Sequence, residues 1–306
     1  NSSGSGYQQW SYKGMEISVY QYPMDSCTVN DYKEMLQKIY KYNPLFVLNM
    51  GVNNPISDLP HFFTTVVARD MSTQVPVSEA DIVILGDSCI EEDEAIKELD
   101  WFQKQIIMKQ KFPVIVNKSD HIFTRRDLNL PEDKFLVCIV GNRLDKEVDM
   151  NFICYMRSIL SKSKKIDFVI IGDTERLQSK FSKTIYETRV HFLGFCKELI
   201  GVYHILDLYL NPKRLGGGWS SAIALQAGLP VVTLPNCDVA YNVSDNFIVS
   251  NERKMVETVL RYASDEQYYK KQADMARICC AGESEEQSIA YITELLNKVR
   301  EAMFDD

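Results

Sequence analysis

In the second half of the chain, unbroken apolar runs alternate with stretches whose apolar residues recur every three or four positions. "KFLVCIV" (134–140) runs apolar up to Gly141, the pattern of a strand buried on both faces. "DFVIIG" (167–172), "RVHFLGF" (189–195), "DLYLNP" (207–212) and "LPVVTLP" (229–235) read the same way. Between them the spacing predicts helices over 150–163, 197–206 and 220–228, the last with serine at its start and glycine at its end. Amphipathic helices follow in "ERKMVETVLRYAS" and "DEQYYKKQADMARICC", and a long one over 284–304. The first half is less regular. It predicts strands over 15–22, 44–51, 80–87 and 112–119, with helices over 31–42 and 91–110.

Strands that alternate with helices across short loops make a parallel sheet covered on both faces, with ligands beyond the carboxyl ends of the strands. The polar stretch 120–134, which contains Pro131, precedes the strongest strand and marks a boundary. The expected organisation is a tag or linker at 1–6, an N-terminal domain over 7–120, a linker at 121–133, a second domain over 134–285 and a C-terminal helix over 286–306. Two α/β domains facing each other across a cleft is the expected result. The N-terminal domain carries few βα units and is short or truncated.

Composition narrows the function. Of 306 residues, 45% are hydrophobic and 25% charged, as in ordinary globular proteins, and the net charge of −8 argues against a nucleic-acid partner. No apolar run reaches the length of about 18–20 residues that spans a bilayer, and no secretory leader is expected. The eight cysteines form no CxxC pair and several sit in apolar runs, so they are expected to be buried free thiols of a cytoplasmic protein.

The chemistry concentrates in "NPKRLGGGWSSAIALQAG" (211–228). The loop follows a strand and precedes a helix, so bare backbone N–H groups and a helix N-terminus point at one spot, an arrangement that attracts phosphate. Ser220 and Ser221 add hydroxyl donors, and Lys213 and Arg214 add positive charge. The same residues also fit a plain turn with Ser220 as N-cap. The pattern is neither GxxxxGK[ST] nor the dinucleotide-binding turn. After the first strand of this domain, Arg143 and Lys146 in "VGNRLDKE" lie at the same sheet edge, placed to hold two charges of a diphosphate.

The order strand–"VGNRLDKE", "IIGD", "VHFLGF", "DLYLNP", glycine loop, "AGLPVVTLP" resembles the nucleotide-binding C-terminal domain of GT-B glycosyltransferases, over roughly residues 134–285. The resemblance implies two Rossmann-like domains, a nucleotide diphosphate sugar donor (UDP first among them), an acceptor hydroxyl on a protein or glycan, and no metal cofactor. Arg143 and Lys146 match the family's basic pair, Phe195 the base-binding turn, and Gly216, Gly217, Gly218, Ser220 and Ser221 the phosphate loop and helix start. Many retaining members carry E-x7-E here, whereas this chain has Leu215 and Ile223 at the corresponding positions. The loop is more similar to inverting O-linked N-acetylglucosamine transferases, which favours inversion, although these commonly keep an acid where Ile223 stands. Asp238, after the next strand, is a candidate for a hydroxyl contact or a loop cap. His61 with Asp58 is the candidate catalytic pair, against a packed His beside a helix-start Asp. His191 and His204 are expected to be structural. Two other readings fit the same residues: an inactive partner or chaperone subunit of an active glycosyltransferase, and an epimerase of the same architecture. Peripheral membrane contact also remains an expectation of the family.

Overall fold

The computed structural model describes residues 6–22, 26–50, 55–69, 77–85, 105–109, 121, 123–214, 216–279 and 285–304. Contacts divide the chain into two compact units, Asn1–Lys111 with Ala290–Asp306, and Phe112–Ile289.

The second unit follows its hydrophobic pattern closely. Strands β7 (Phe135–Val140), β8 (Ile166–Ile171), β9 (Val190–Gly194), β10 (Leu208–Leu210) and β11 (Val231–Val232) form a parallel sheet in the order β11-β10-β7-β8-β9. Alternate residues of each strand serve separate cores. Val137, Ile139, Phe168, Ile170, Leu208 and Leu210 meet the helices Met150–Lys162 and Glu252–Ser264 on one face. Leu136, Cys138, Val169, Ile171, Tyr209 and Val231 meet Leu199–Tyr203 and Gly218–Gln226 on the other. A strand covered on both sides has no polar face to show, which is why these runs are continuous in sequence.

Two details set the register of this unit. Asp149 caps the helix Met150–Lys162, accepting from the Phe152 N–H at 2.8 Å. The carboxylate of Asp145 accepts from the N–H groups of Arg176 and Leu177 at 2.9 and 2.8 Å, the first turn of the helix Glu175–Phe181.

The first unit holds a parallel sheet of β3 (Phe46–Met50), β4 (Thr65–Arg69), β5 (Ile82–Leu85) and β6 (Ile106–Lys109), in that order. Its core joins Val67, Ile82, Ile84 and Met108 to Leu295 and Val299 of the final helix, Glu285–Phe304. Two expectations need correction here. Residues 106–109 lie in a strand paired with β5 and not in a helix, because the adjacent apolar residues Ile106, Ile107 and Met108 complete a sheet. The preceding 91–104 and the expected strand 112–119 lie outside the described residues. The strand at Met15–Gln21 (β2) is one arm of an antiparallel hairpin whose other arm is β1 (Gly6–Tyr12), a strand the polar "GYQQWSY" does not announce. Gly6 therefore belongs to the fold. One face of the hairpin carries Trp10, Tyr12, Met15 and Ile17, all exposed.

Six described cysteines are free thiols; Cys138 and Cys237 are buried but Cys154 is exposed, because it falls on the outer side of its helix. Cys89 and Cys280 lie outside the described residues. Among the described residues no helix is long and apolar enough to cross a membrane.

Candidate functional site

In the second unit the chain leaves β7 to build β8 on one side, and later returns to add β10 on the other. The loops after β7 and β10 therefore flank the point where strand order reverses, the place where open α/β sheets bind ligands. Gly141–Arg143 and the short helix Leu144–Glu147 follow β7; Asn211–Gly217 and the helix Gly218–Gln226 follow β10.

Arg214 ties these loops together. Its side chain is 2% exposed, and the Nη1–H donates to Glu147 Oε2 at 2.9 Å. The Nε–H donates to Asn211 Oδ1 at 2.9 Å, and Nη2 donates to the Val140 carbonyl at 2.6 Å and to Tyr209 Oη at 3.4 Å. The sequence reading offered Arg214 as an added positive charge for a ligand. Instead its guanidinium is buried and spent on the protein.

Glu147, 15% exposed, uses its other oxygen to hold Arg143, with Oε1 2.9 Å from Nη2. Arg143 is 68% exposed, at the edge of the sheet.

The three glycines answer to different neighbours. A Cβ on Gly216 would lie 3.1 Å from Arg143 Nη2 and 3.4 Å from Glu147 Oε1. One on Gly217 would lie 2.6 Å from Arg214 Nη2 and 2.8 Å from Asn211 Oδ1, and Gly217 adopts φ +89°. One on Gly218 would meet Asn242 Nδ2 at 2.6 Å, with Asp238 Cβ 3.6 Å away. Gly217 is thus bare because the buried Arg214 and Asn211 crowd beneath it, whereas Gly216 and Gly218 stand against the exposed Arg143 and Asn242.

The helix starts at Gly218, two residues before the expected position, with Gly217 as N-cap and no side-chain cap bond. Ser220 is not the cap, because the positive φ of Gly217 already turns the chain into the helix. The Ser221 hydroxyl is buried and donates to the Gly218 carbonyl at 2.8 Å, so it is not a free donor. The N-cap Gly217 makes no side-chain cap bond, and the helix start carries the partial positive charge of its first N–H groups. Tyr203 Oη donates to the Ser220 carbonyl at 3.1 Å and fixes the helix from below.

The other candidates spread more widely. Lys146 is exposed and lines a pocket of about 210 Å³ with Met150, Ile153, Arg176, Leu177 and Lys180. Lys213 is exposed beside the loop. Phe195 follows edge strand β9 and is exposed. Asp238 opens the helix Asp238–Asn242, close to Gly218. Leu215 lies outside the described residues, and Ile223 is buried in the core.

In the first unit, the Asp58 carboxylate accepts from Asn49 Nδ2 at 3.1 Å, Ser78 Oγ at 2.6 Å and the Glu79 N–H at 3.4 Å. His61 stacks near Phe62, its ring centroid 4.3 Å away, and its Nε2 is 3.9 Å from Glu79 Oε2. His191 is held by Asp167, with Nε2 3.0 Å from Oδ2. Among the described residues, no group of three His, Cys, Asp or Glu side chains is placed to hold a metal ion.

Sequence reasoning missed Glu147 and the buried role of Arg214. The only signal was their position, each within a loop already marked by other residues.

Comparison with known proteins bears on the family and the fold. Residues 134–265 match the family model described as Glycosyl transferases group 1. No curated protein matches the chain. Among solved structures, S. aureus TarM superposes with a TM-score of 0.67 at 15% identity, over 92% of this chain and 59% of that one. HepE of Anabaena, solved with UDP and glucose, gives 0.67 at 15% identity, over 88% of this chain and 82% of that one. The pneumococcal O-GlcNAc transferase GtfA, solved with UDP and GlcNAc, gives 0.66 at 9% identity, over 96% and 69%. The chain thus spans 59% of the length of the TarM chains it is similar to. Residues 134–265 thus match group 1 glycosyl transferases, and the chain shares the GT-B fold of these solved structures.

Proposed function

We propose that this chain is a glycosyltransferase whose second unit binds the diphosphate of a nucleotide sugar, UDP-linked in the first instance, for transfer to a hydroxyl of a protein or glycan. The observation that carries this reading is the meeting of Arg143 with the glycine loop that leads into the helix Gly218–Gln226, at the sheet's switch point. A guanidinium and aligned N–H groups complement the leaving diphosphate, so charge neutralisation needs no metal in this reading. Lys146 and Lys213 lie near enough in sequence to add to the field. Phe195 offers a surface for the base and Asp238 a carboxylate beside the loop.

With Leu215 and Ile223 in place of both acids of the E-x7-E pair, direct displacement with inversion is the course this reading favours. The acceptor proton then goes to a base, for which His61 and Asp58 are the candidates. Asp58 already accepts three hydrogen bonds, which leaves His61 the better candidate of that pair.

Calorimetric titration with UDP, GDP and ADP tests the donor site. Selective binding lost in Arg143→Ala supports it, and no binding to any of them removes it. If UDP-sugar is turned over, His61→Ala should abolish transfer and leave UDP affinity unchanged. A second reading draws on the same Ile223: the chain binds or shapes a partner glycosyltransferase and transfers nothing itself. Donor binding without turnover, with any acceptor hydroxyl, favours that reading.

A further inference from the structure

We infer that Glu147 and Arg214 are positioning residues that hold Arg143 in place for the donor diphosphate. The inference rests on the donor-site reading above and adds to it how the site is built.

Glu147 is a puzzle for a phosphate site, because a carboxylate beside a dianion repels it. Its placement explains its presence. One oxygen takes Nη1–H of Arg214 at 2.9 Å, and the other takes Nη2–H of Arg143 at 2.9 Å. Arg214 is anchored in turn by Asn211, Val140 and Tyr209, so four of its five N–H donors are committed inside the protein. At 2% exposure it cannot reach a ligand. What it does is fix Glu147, and through Glu147 the exposed guanidinium of Arg143.

The same chain of contacts sets the loop. Gly216 lies against the Arg143–Glu147 pair, and Gly217 lies against Arg214 and Asn211. One buried cation thereby holds both the exposed arginine and the backbone leading into the helix Gly218–Gln226 in a common frame. An exposed arginine otherwise samples many rotamers, and that freedom is lost on binding. Holding it beforehand reduces the loss. The charges of the trio sum to +1, so the bridge costs the site one unit of charge and returns geometry.

Charge and positioning predict opposite signs. If Glu147 were only a negative charge in the site, Glu147→Gln would tighten UDP binding. If it positions Arg143, the same change weakens binding by about tenfold, the worth of one charge-assisted hydrogen bond. The experiment is calorimetric titration of the full chain with UDP for wild type, Glu147→Gln, Arg143→Ala and the double variant, at low and high salt. Thermal unfolding of each variant is read alongside. Expected are weaker binding in both single variants, and no further weakening when Glu147→Gln is added to Arg143→Ala. Glu147→Asp keeps the charge and shortens the reach to Arg143; it should also bind more weakly, and it serves if the Gln variant does not fold. Unchanged or tighter binding in a folded Glu147 variant overturns the proposal while leaving the donor site standing. Absence of UDP binding in wild type, or full binding in Arg143→Ala, removes the donor reading and this inference with it.

Discussion

The Nη2 atom of Arg214 lies 2.6 Å from where a Cβ on Gly217 would be. Arg214 cannot yield, because Asn211, Glu147, Val140 and Tyr209 fix its guanidinium on all sides. The backbone of Gly217 also sits at φ +89°, where a side chain is strained. Gly217→Ala should therefore lose about 2–4 kcal/mol of stability, the sum of backbone strain and overpacking. Gly218→Ala, whose one close neighbour is the far end of the exposed Asn242 side chain, with Asp238 at an ordinary 3.6 Å, should stay within about 1 kcal/mol of wild type. Urea unfolding of both variants checks the contrast, and equal losses would remove the claim that Arg214 dictates Gly217.

A second arginine acts at the opposite edge of the same sheet. Arg189 Nε lies 3.1 Å from Oδ1 of Asp167, whose side chain is only 4% exposed. Its Nη1 donates to the Leu160 carbonyl at 2.7 Å, and its Nη2 to the carbonyls of Ser163 and Ile166. Removing it leaves His191 as the remaining side-chain partner of the buried Asp167 carboxylate and takes a donor from three carbonyls at the entry to β8. Arg189→Ala should destabilise the chain by about 3–5 kcal/mol in chemical denaturation. A change within about 0.5 kcal/mol would class the group with ordinary surface residues.

These two arginines show where sequence reading reaches and where it stops. The strands of the second unit were legible because burial on both faces leaves unbroken apolar runs, as in "FLVCIV". The hairpin arm Gly6–Tyr12 was not, because its polar residues alternate with aromatics that the fold leaves exposed. The strand Ile106–Lys109 follows a charged stretch of helical spacing, and only its pairing with Ile82–Leu85 defines it. At the candidate site, Arg143 and the glycine loop stood out by motif. Glu147 and Arg214 meet across 67 residues, and nothing local distinguishes a buried arginine from the exposed Lys213 beside it. The helix start moved from Ser220 to Gly218 because a glycine at positive φ took the place of a serine cap.

Asp207 gives the fold a pH dependence that can be isolated. Its Oδ2 accepts from Arg125 Nη2 at 2.8 Å and from the Leu136 N–H at 2.6 Å, at the base of β10 and β7. Burial pushes the carboxyl above its ordinary value, and the Leu136 N–H and Arg125 pull it back only in part. The folded chain therefore takes up this proton more readily than the unfolded chain. The contribution of Asp207 to stability is then greatest below the ordinary aspartate value of about 3.9 and falls as pH rises through the raised one. Asp207→Asn keeps an oxygen to accept from Arg125 and Leu136 but removes the titration. In urea unfolding from pH 4 to 7, wild type should lose stability relative to the Asn variant as pH rises. The exposed carboxylates Asp127 and Asp265, held below their ordinary range chiefly by the Thr124 and Tyr268 backbone N–H groups, are common to both proteins and cancel in the difference. Should wild type instead gain on the variant with rising pH, Arg125 outweighs burial and the direction is reversed.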